Sequence, residues 1–142
     1  MQQVIDKFNF SIILKPGDVE ASSEYWQEQC CQLYGSLCSS IPDGWIEPLK
    51  LKCSEGERAD LITIFSTLAA FGITGKVFAE IILEVMKTWL EYRPTAEIEL
   101  KCPDGSTVKI SKLPLAKVSK FFEENPKISI CEGLNSFKNS NE

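Results

Sequence analysis

Fifteen consecutive residues carry no charge: Leu61-Ile62-Thr63-Ile64-Phe65-Ser66-Thr67-Leu68-Ala69-Ala70-Phe71-Gly72-Ile73-Thr74-Gly75. A run this apolar must be covered by something, so the rest of the chain has to be arranged around it. The next residues turn amphipathic. Val77, Phe78, Ile81, Ile82, Val85, Met86, Trp89 and Leu90 form a helical stripe, with Lys76, Glu80, Glu84, Lys87 and Glu91 on the other side. Together the two stretches predict a helical region over 61–91, either one helix kinked near Gly72 and Gly75 or two helices broken there. A bilayer span takes about 20 apolar residues, and Lys76 ends this run at fifteen. A helix covering a sheet is the simplest expectation; a partner-facing surface and membrane contact are the alternatives.

The same run points to a docking surface. A helix on one face of a small sheet needs an apolar stripe of little more than about 100°, yet residues 61–75 are uncharged all round. Leu61, Ile64, Phe65 and Leu68 can serve a core, which leaves Ile62, Ala69, Phe71 and Ile73 without evident neighbours. Ile62, Phe65, Leu68, Phe71 and Ile73 are therefore the candidate protein-interaction residues. Burying each large side chain would contribute about 1.5–3 kcal/mol before association costs. A homo-oligomer, an effector complex or a lipid surface would each cover the patch, and protein partners rank first because the run is too short to span a bilayer.

Elsewhere the periodicities are local and clear. Phe8, Phe10, Ile12 and Leu14 share one face of a strand that Pro16-Gly17-Asp18 ends. Ser22 or Ser23 caps a helix to about Ser39, with Tyr25, Trp26, Cys30, Leu33, Tyr34 and Leu37 recurring at helical spacing. A second strand covers about 45–53, where Leu49, Leu51 and Cys53 alternate with Lys50 and Lys52. Pro48 has no amide to donate, so that strand lies at an edge or carries a bulge. Ala96–Cys102 and Thr107–Ser111 alternate strictly across Pro103-Asp104-Gly105-Ser106, which predicts a hairpin with Gly105 at positive φ. Its outer face carries Glu97, Glu99 and Lys101 opposite Lys109. Pro114 opens a short helix docked by Leu115, Val118, Phe121 and Phe122, and Ile128 with Ile130 suggests one more strand.

These elements predict an α/β (α+β) two-layer sandwich, a mostly antiparallel sheet of four or five strands with helices packed on it. At 142 residues the chain has room for one domain, read as 1–134, followed by a polar, flexible tail over 135–142.

What the composition excludes is broad. Histidine is absent, which removes Ser-His-Asp and Cys-His catalysis, His-ligated metals and imidazole proton transfer. Twenty acidic against fifteen basic residues, with no basic run, argue against nucleic acid as a partner. Cys30, Cys31, Cys38, Cys53, Cys102 and Cys131 include no C-x-x-C pair, so the spacing supports neither a metal site nor a disulfide framework. Met1–Lys7 lacks the basic and apolar regions of a signal peptide, which predicts a cytoplasmic chain with reduced thiols acting as small apolar residues. Gly72-Ile73-Thr74-Gly75-Lys76-Val77 fails as a phosphate loop, because Val77 stands where a hydroxyl must hold magnesium. No cofactor, no metal and no catalytic residue is expected.

The segment from about Ala59 to Phe122 carries a resemblance. A glycine-containing apolar stretch leads into Lys87-Thr88-Trp89-Leu90-Glu91-Tyr92-Arg93-Pro94, a helix end of the form WL-x-x-R. The acidic-hydrophobic strand Glu97-Ile98-Glu99-Leu100, the Pro103-Asp104-Gly105 turn and a short helix follow. With the leading Phe10–Leu14 strand, this order resembles the effector-associated constant component family of bacterial conflict and immune systems, closely over about half the chain. The resemblance implies a small non-enzymatic accessory or adaptor protein that docks to and regulates an effector, for example a caspase-like or trypsin-like peptidase. It transfers no catalytic residue. The alternative is a membrane-associated component using the apolar 61–75 stretch as a helix.

Overall fold

The structure is a computed structural model that describes residues 10–18, 20, 23–42, 44–52, 61–125 and 127–140. Strand β1 (Phe10–Lys15) turns Phe10, Ile12 and Leu14 into the core, the alternation its sequence carries. Helix α1 (Glu24–Ser40) starts where the Ser23 hydroxyl accepts the Trp26 amide at 3.0 Å, a cap worth about 1 kcal/mol. Trp26, Cys30, Leu33 and Leu37 are its buried face, while Tyr25 lies outside it. Strand β2 (Ile46–Lys52) is an edge of the sheet and pairs with β3 (Leu61–Ala70) through an irregularity at Pro48 and Leu49. The edge position posed by Pro48 therefore holds, while the extra residues of the irregularity belong to β3. Phe8, Cys53 and the loop after it lie outside the described residues.

The uncharged run is a strand, not the helix its apolarity suggested. β3 is hydrogen-bonded on both sides, to β2 and to β1, with Leu68 opposite Ile12 and Ala70 opposite Phe10. A continuous apolar run has no period by which strand and helix can be told apart. The β-branched Ile62, Thr63, Ile64 and Thr67 favour the pleated form, and Leu68, Ala69 and Ala70 are paired on both edges, to β1 and to β2. Opposite Pro48 stands Leu68, but opposite Leu49 stands Ile64, so Phe65, Ser66 and Thr67 have no β2 partner. This reverses the in–out alternation along β3 and brings the Phe65 ring to Tyr34 on α1, centroids 5.4 Å apart.

Helix begins only at 75. The central helix over 75–91 consists of α2 (Gly75–Val77), a π-helical turn (Phe78–Ile82) and α3 (Leu83–Glu91). The Thr74 hydroxyl accepts the Val77 amide at its start. Phe78, Ile82, Met86 and Trp89 are buried as the stripe predicted, whereas Val77, Ile81, Val85 and Leu90 are only half-buried.

Strands β4 (Glu97–Lys101) and β5 (Thr107–Lys109) form the expected hairpin, with Gly105 at φ +94°. The Ser106 amide and hydroxyl both donate to Asp104, holding its carboxyl below the usual carboxylate range. Glu99 aligns with Lys109 in the ladder, but its ion pair is with Lys15 of β1, at 3.2 Å. A 3-10 turn (Ile110–Lys112) leads to α4 (Leu115–Glu124), entered through Pro114.

The strand expected at Ile128 and Ile130 does not form: Ile128 lies in a bend, and Ile130 begins α5 (Ile130–Ser140). The reason is a local cap: the buried Ser129 hydroxyl accepts the Glu132 amide at 3.2 Å, and Glu132 reaches back to that hydroxyl. The fifth strand of the sheet is β3. Helix α5 extends over Asn135 to Ser140, inside the segment read as a flexible tail.

The antiparallel sheet has the order β2-β3-β1-β4-β5. Its first four strands interleave two βαβ units, β1-α1-β2 and β3-central helix-β4, which is the split-βαβ or ferredoxin-like arrangement. One core cluster joins the inner sheet face to the helices. The α+β two-layer reading thus holds.

One covalent bond and one tight packing contact hold α5 in place. Cys102, just past β4, is disulfide-bonded to Cys131 in α5, contrary to the expectation of reduced thiols throughout. Spacing did not reveal it because the partners are brought together by packing, Cα atoms 5.9 Å apart across a sequence separation of 29. Nearby, the buried Phe122 ring lies between Gly75 and Gly133, where a Cβ on either glycine would overlap the ring.

Candidate docking groove

The helix end Trp89-Leu90-Glu91-Tyr92-Arg93 locks the central helix to α1. Trp89 Nε1 donates to the Gln29 carbonyl at 2.9 Å, and its ring meets that of Trp26 at 5.9 Å. Arg93 commits each of its nitrogens: Nε donates to Gln29 Oε1 (2.8 Å), Nη1 to the Trp89 carbonyl (2.9 Å) and Nη2 to Gln32 Oε1 (2.9 Å). Burial lowers its pKa from the ordinary guanidinium value, against the opposing influence of Tyr25 and Cys30. Burial likewise pushes the Cys30 thiol up to about 12, with the Arg93 charge pulling the other way.

Above this lock the two helices part. They leave an open groove of about 750 Å³, walled by Gln32, Ser36 and Ser40 of α1 and by Glu80, Glu84 and Thr88 of the central helix. Ile81, Val85 and Trp89 line it between these walls, and Tyr92 and Arg93 stand at one end. Tyr92 is 77% exposed. Glu80 and Glu84 also border a smaller recess against α4, with Lys76, Leu115, Ser119 and Glu123. Among the described residues neither glutamate has an ion-pair partner.

Neither a family model, nor a curated protein, nor a solved structure matches this chain. The groove must therefore be read from its own chemistry.

The five residues singled out from the sequence are not brought together as one surface. Leu68 and Ile73 are fully buried in the core. Ile62 pairs with Leu51 in the β2–β3 ladder. Phe65 packs on Tyr34 and borders a shallow recess with Tyr25, Glu28 and Cys31. Phe71 is an exposed large apolar residue, at 39%. A single patch from these residues requires a helix, and a strand disposes of an apolar run differently, by sending alternate residues to two faces. The alternative of a membrane-contacting helix at 61–75 meets the same fact, since β3 occupies 61–70. Among the described residues no helix is long and apolar enough to cross a membrane.

The apolar residues that do line a groove belong to a pattern the sequence displays. Ile81 and Val85 belong to the amphipathic stripe and were expected in the core with it. The available signal was the width of the stripe, which is broader than the inner face of one helix on a small sheet requires.

Proposed function

We propose that this protein is a non-enzymatic adaptor that seats a segment of a partner protein in the groove between α1 and the central helix. One observation carries the reading: Ile81 and Val85 remain half-buried beside Trp89, with Tyr92 and Arg93 at the same groove end. Trp, Tyr and Arg are the residue types that dominate binding energy at protein interfaces, and a partly desolvated apolar floor with a polar rim is the anatomy such sites share. The resemblance to effector-associated constant components supports the same role and suggests an effector, such as a peptidase, as the partner. Of the segments that carry it, the Trp89–Arg93 helix end and the hairpin are present as elements, and the 61–70 portion is a strand.

The test is co-expression with the products of neighbouring genes, followed by size-exclusion chromatography. A groove-filled variant, Ser36→Arg with Thr88→Arg, changes two exposed side chains of opposite walls and leaves the core untouched. The wild type should co-elute with its effector and the variant should not. Co-elution unaffected by filling the groove would move the docking surface elsewhere.

A further inference from the structure

The groove's geometry constrains the shape of its occupant. Ile81, Val85 and Trp89 recur every four residues, a straight row over about 12 Å of helix. Across from them Gln32, Ser36 and Ser40 repeat the same spacing on α1. Neither wall offers a strand edge, because both are helices whose backbone groups are paired internally. An extended peptide laid here would leave its N–H and C=O groups unpaired while losing water. A helix arrives with them already satisfied. Serines at two of the three α1 positions allow it a close approach, so that its own ridge of side chains can enter the groove.

Charge constrains it further. Glu80 and Glu84 are exposed one turn apart on the rim, and like charges at that spacing repel. Among the described residues the one cation lining the groove, Arg93, is already held by Gln29, Gln32 and the Trp89 carbonyl. The rim therefore presents unpaired negative charge beside an apolar floor.

We infer that the occupant is a cationic amphipathic helix of the partner protein. Its apolar row seats on Ile81, Val85 and Trp89, and Lys or Arg on its flank pairs with Glu80 and Glu84. This helix-in-groove mode rests on the docking reading above and names the partner's chemistry.

The experiment is a displayed library of random peptides of about five helical turns, selected on the intact chain and counter-selected on the Ser36→Arg/Thr88→Arg variant. Selected peptides are then synthesised and titrated by fluorescence polarisation. Groove-dependent peptides should carry apolar residues at i, i+3, i+4 and i+7 with Lys or Arg beside them. Glu80→Lys with Glu84→Lys, or a proline in mid-peptide, should each weaken binding about tenfold or more, an order of magnitude that one or two lost charge-assisted contacts supply. Groove-dependent peptides that are acidic, or that tolerate proline, overturn the helix inference and leave the docking groove standing. No enrichment over the groove-filled variant overturns both. Circular dichroism of each variant excludes unfolding as the cause.

Discussion

The guanidinium of Arg93 lies over the indole of Trp89, 4.5 Å from the ring centre, and donates to the carbonyl of that same tryptophan. The stacking and the fork of hydrogen bonds to Gln29 and Gln32 together make the last turn of the central helix a clasp on α1. The clasp also sets one end of the groove.

Its geometry depends on a planar fork, which lysine lacks. Arg93→Lys should lower stability by about 1–2 kcal/mol and Arg93→Ala by about 1–3 kcal/mol, since each lost side-chain hydrogen bond is worth about 1 kcal/mol. Chemical denaturation of the two variants measures this. A wild-type midpoint for Arg93→Lys would show the fork to be idle.

The Cys102–Cys131 bridge closes a loop across a sequence separation of 29. Loop-closure entropy for that length corresponds to about 3–4 kcal/mol. Cys102→Ser with Cys131→Ser should destabilise the fold on that order, and reducing agent should do the same to the wild type but not to the double variant. Peptide mapping without reduction should recover the two cysteines linked. If reductant leaves the wild-type midpoint unchanged, the bridge contributes nothing to folding.

Gly75 and Gly133 grip the Phe122 ring from two helices. Alanine at Gly75 would restrict the unfolded backbone, yet its Cβ would overlap the fully buried Phe122 ring. Overpacking costs about 1–3 kcal/mol, so Gly75→Ala and Gly133→Ala should each be net destabilising. Adding Phe122→Leu to either should recover part of the loss. A stabilised Gly75→Ala would mean the ring can step aside.

Adjacent thiols on α1 should behave oppositely. Cys30 is buried with its pKa raised to about 12, while Cys31 is exposed. Brief iodoacetamide treatment of the native protein near pH 8 should label Cys31 and spare Cys30, read by mass spectrometry. The sign for stability follows. The folded state holds the Cys30 proton more tightly than the unfolded chain, whose thiol titrates near 9. This contribution is complete below about pH 9 and is lost as pH rises toward 12. Cys30→Ala should flatten that part of the alkaline loss. Equal labelling of both thiols would contradict the burial.

Much of the fold was legible because its signals are local. A hairpin needs only alternation and a Gly105 turn, and α1 needs only its stripe and the Ser23 cap. The Ser129 cap of α5 was equally local, but the alternation of Ile128 and Ile130 pointed the other way. Groove residues were legible as a stripe and not as a site, since whether Ile81 and Val85 are covered depends on how closely α1 approaches.

The sequence by itself determined one α+β domain's worth of elements, the amphipathic central helix, the hairpin, and the lack of imidazole chemistry. Tertiary structure alone decided that 61–70 is a strand, that Cys102 meets Cys131, and that two core-like side chains line an open groove. The physical reason is common to all three. An apolar run or a lone cysteine has no local period or partner, so its state is set by the backbone and side chains that distant segments bring to it: Ile12 opposite Leu68, α5 beside the hairpin, and α1 held off the central helix.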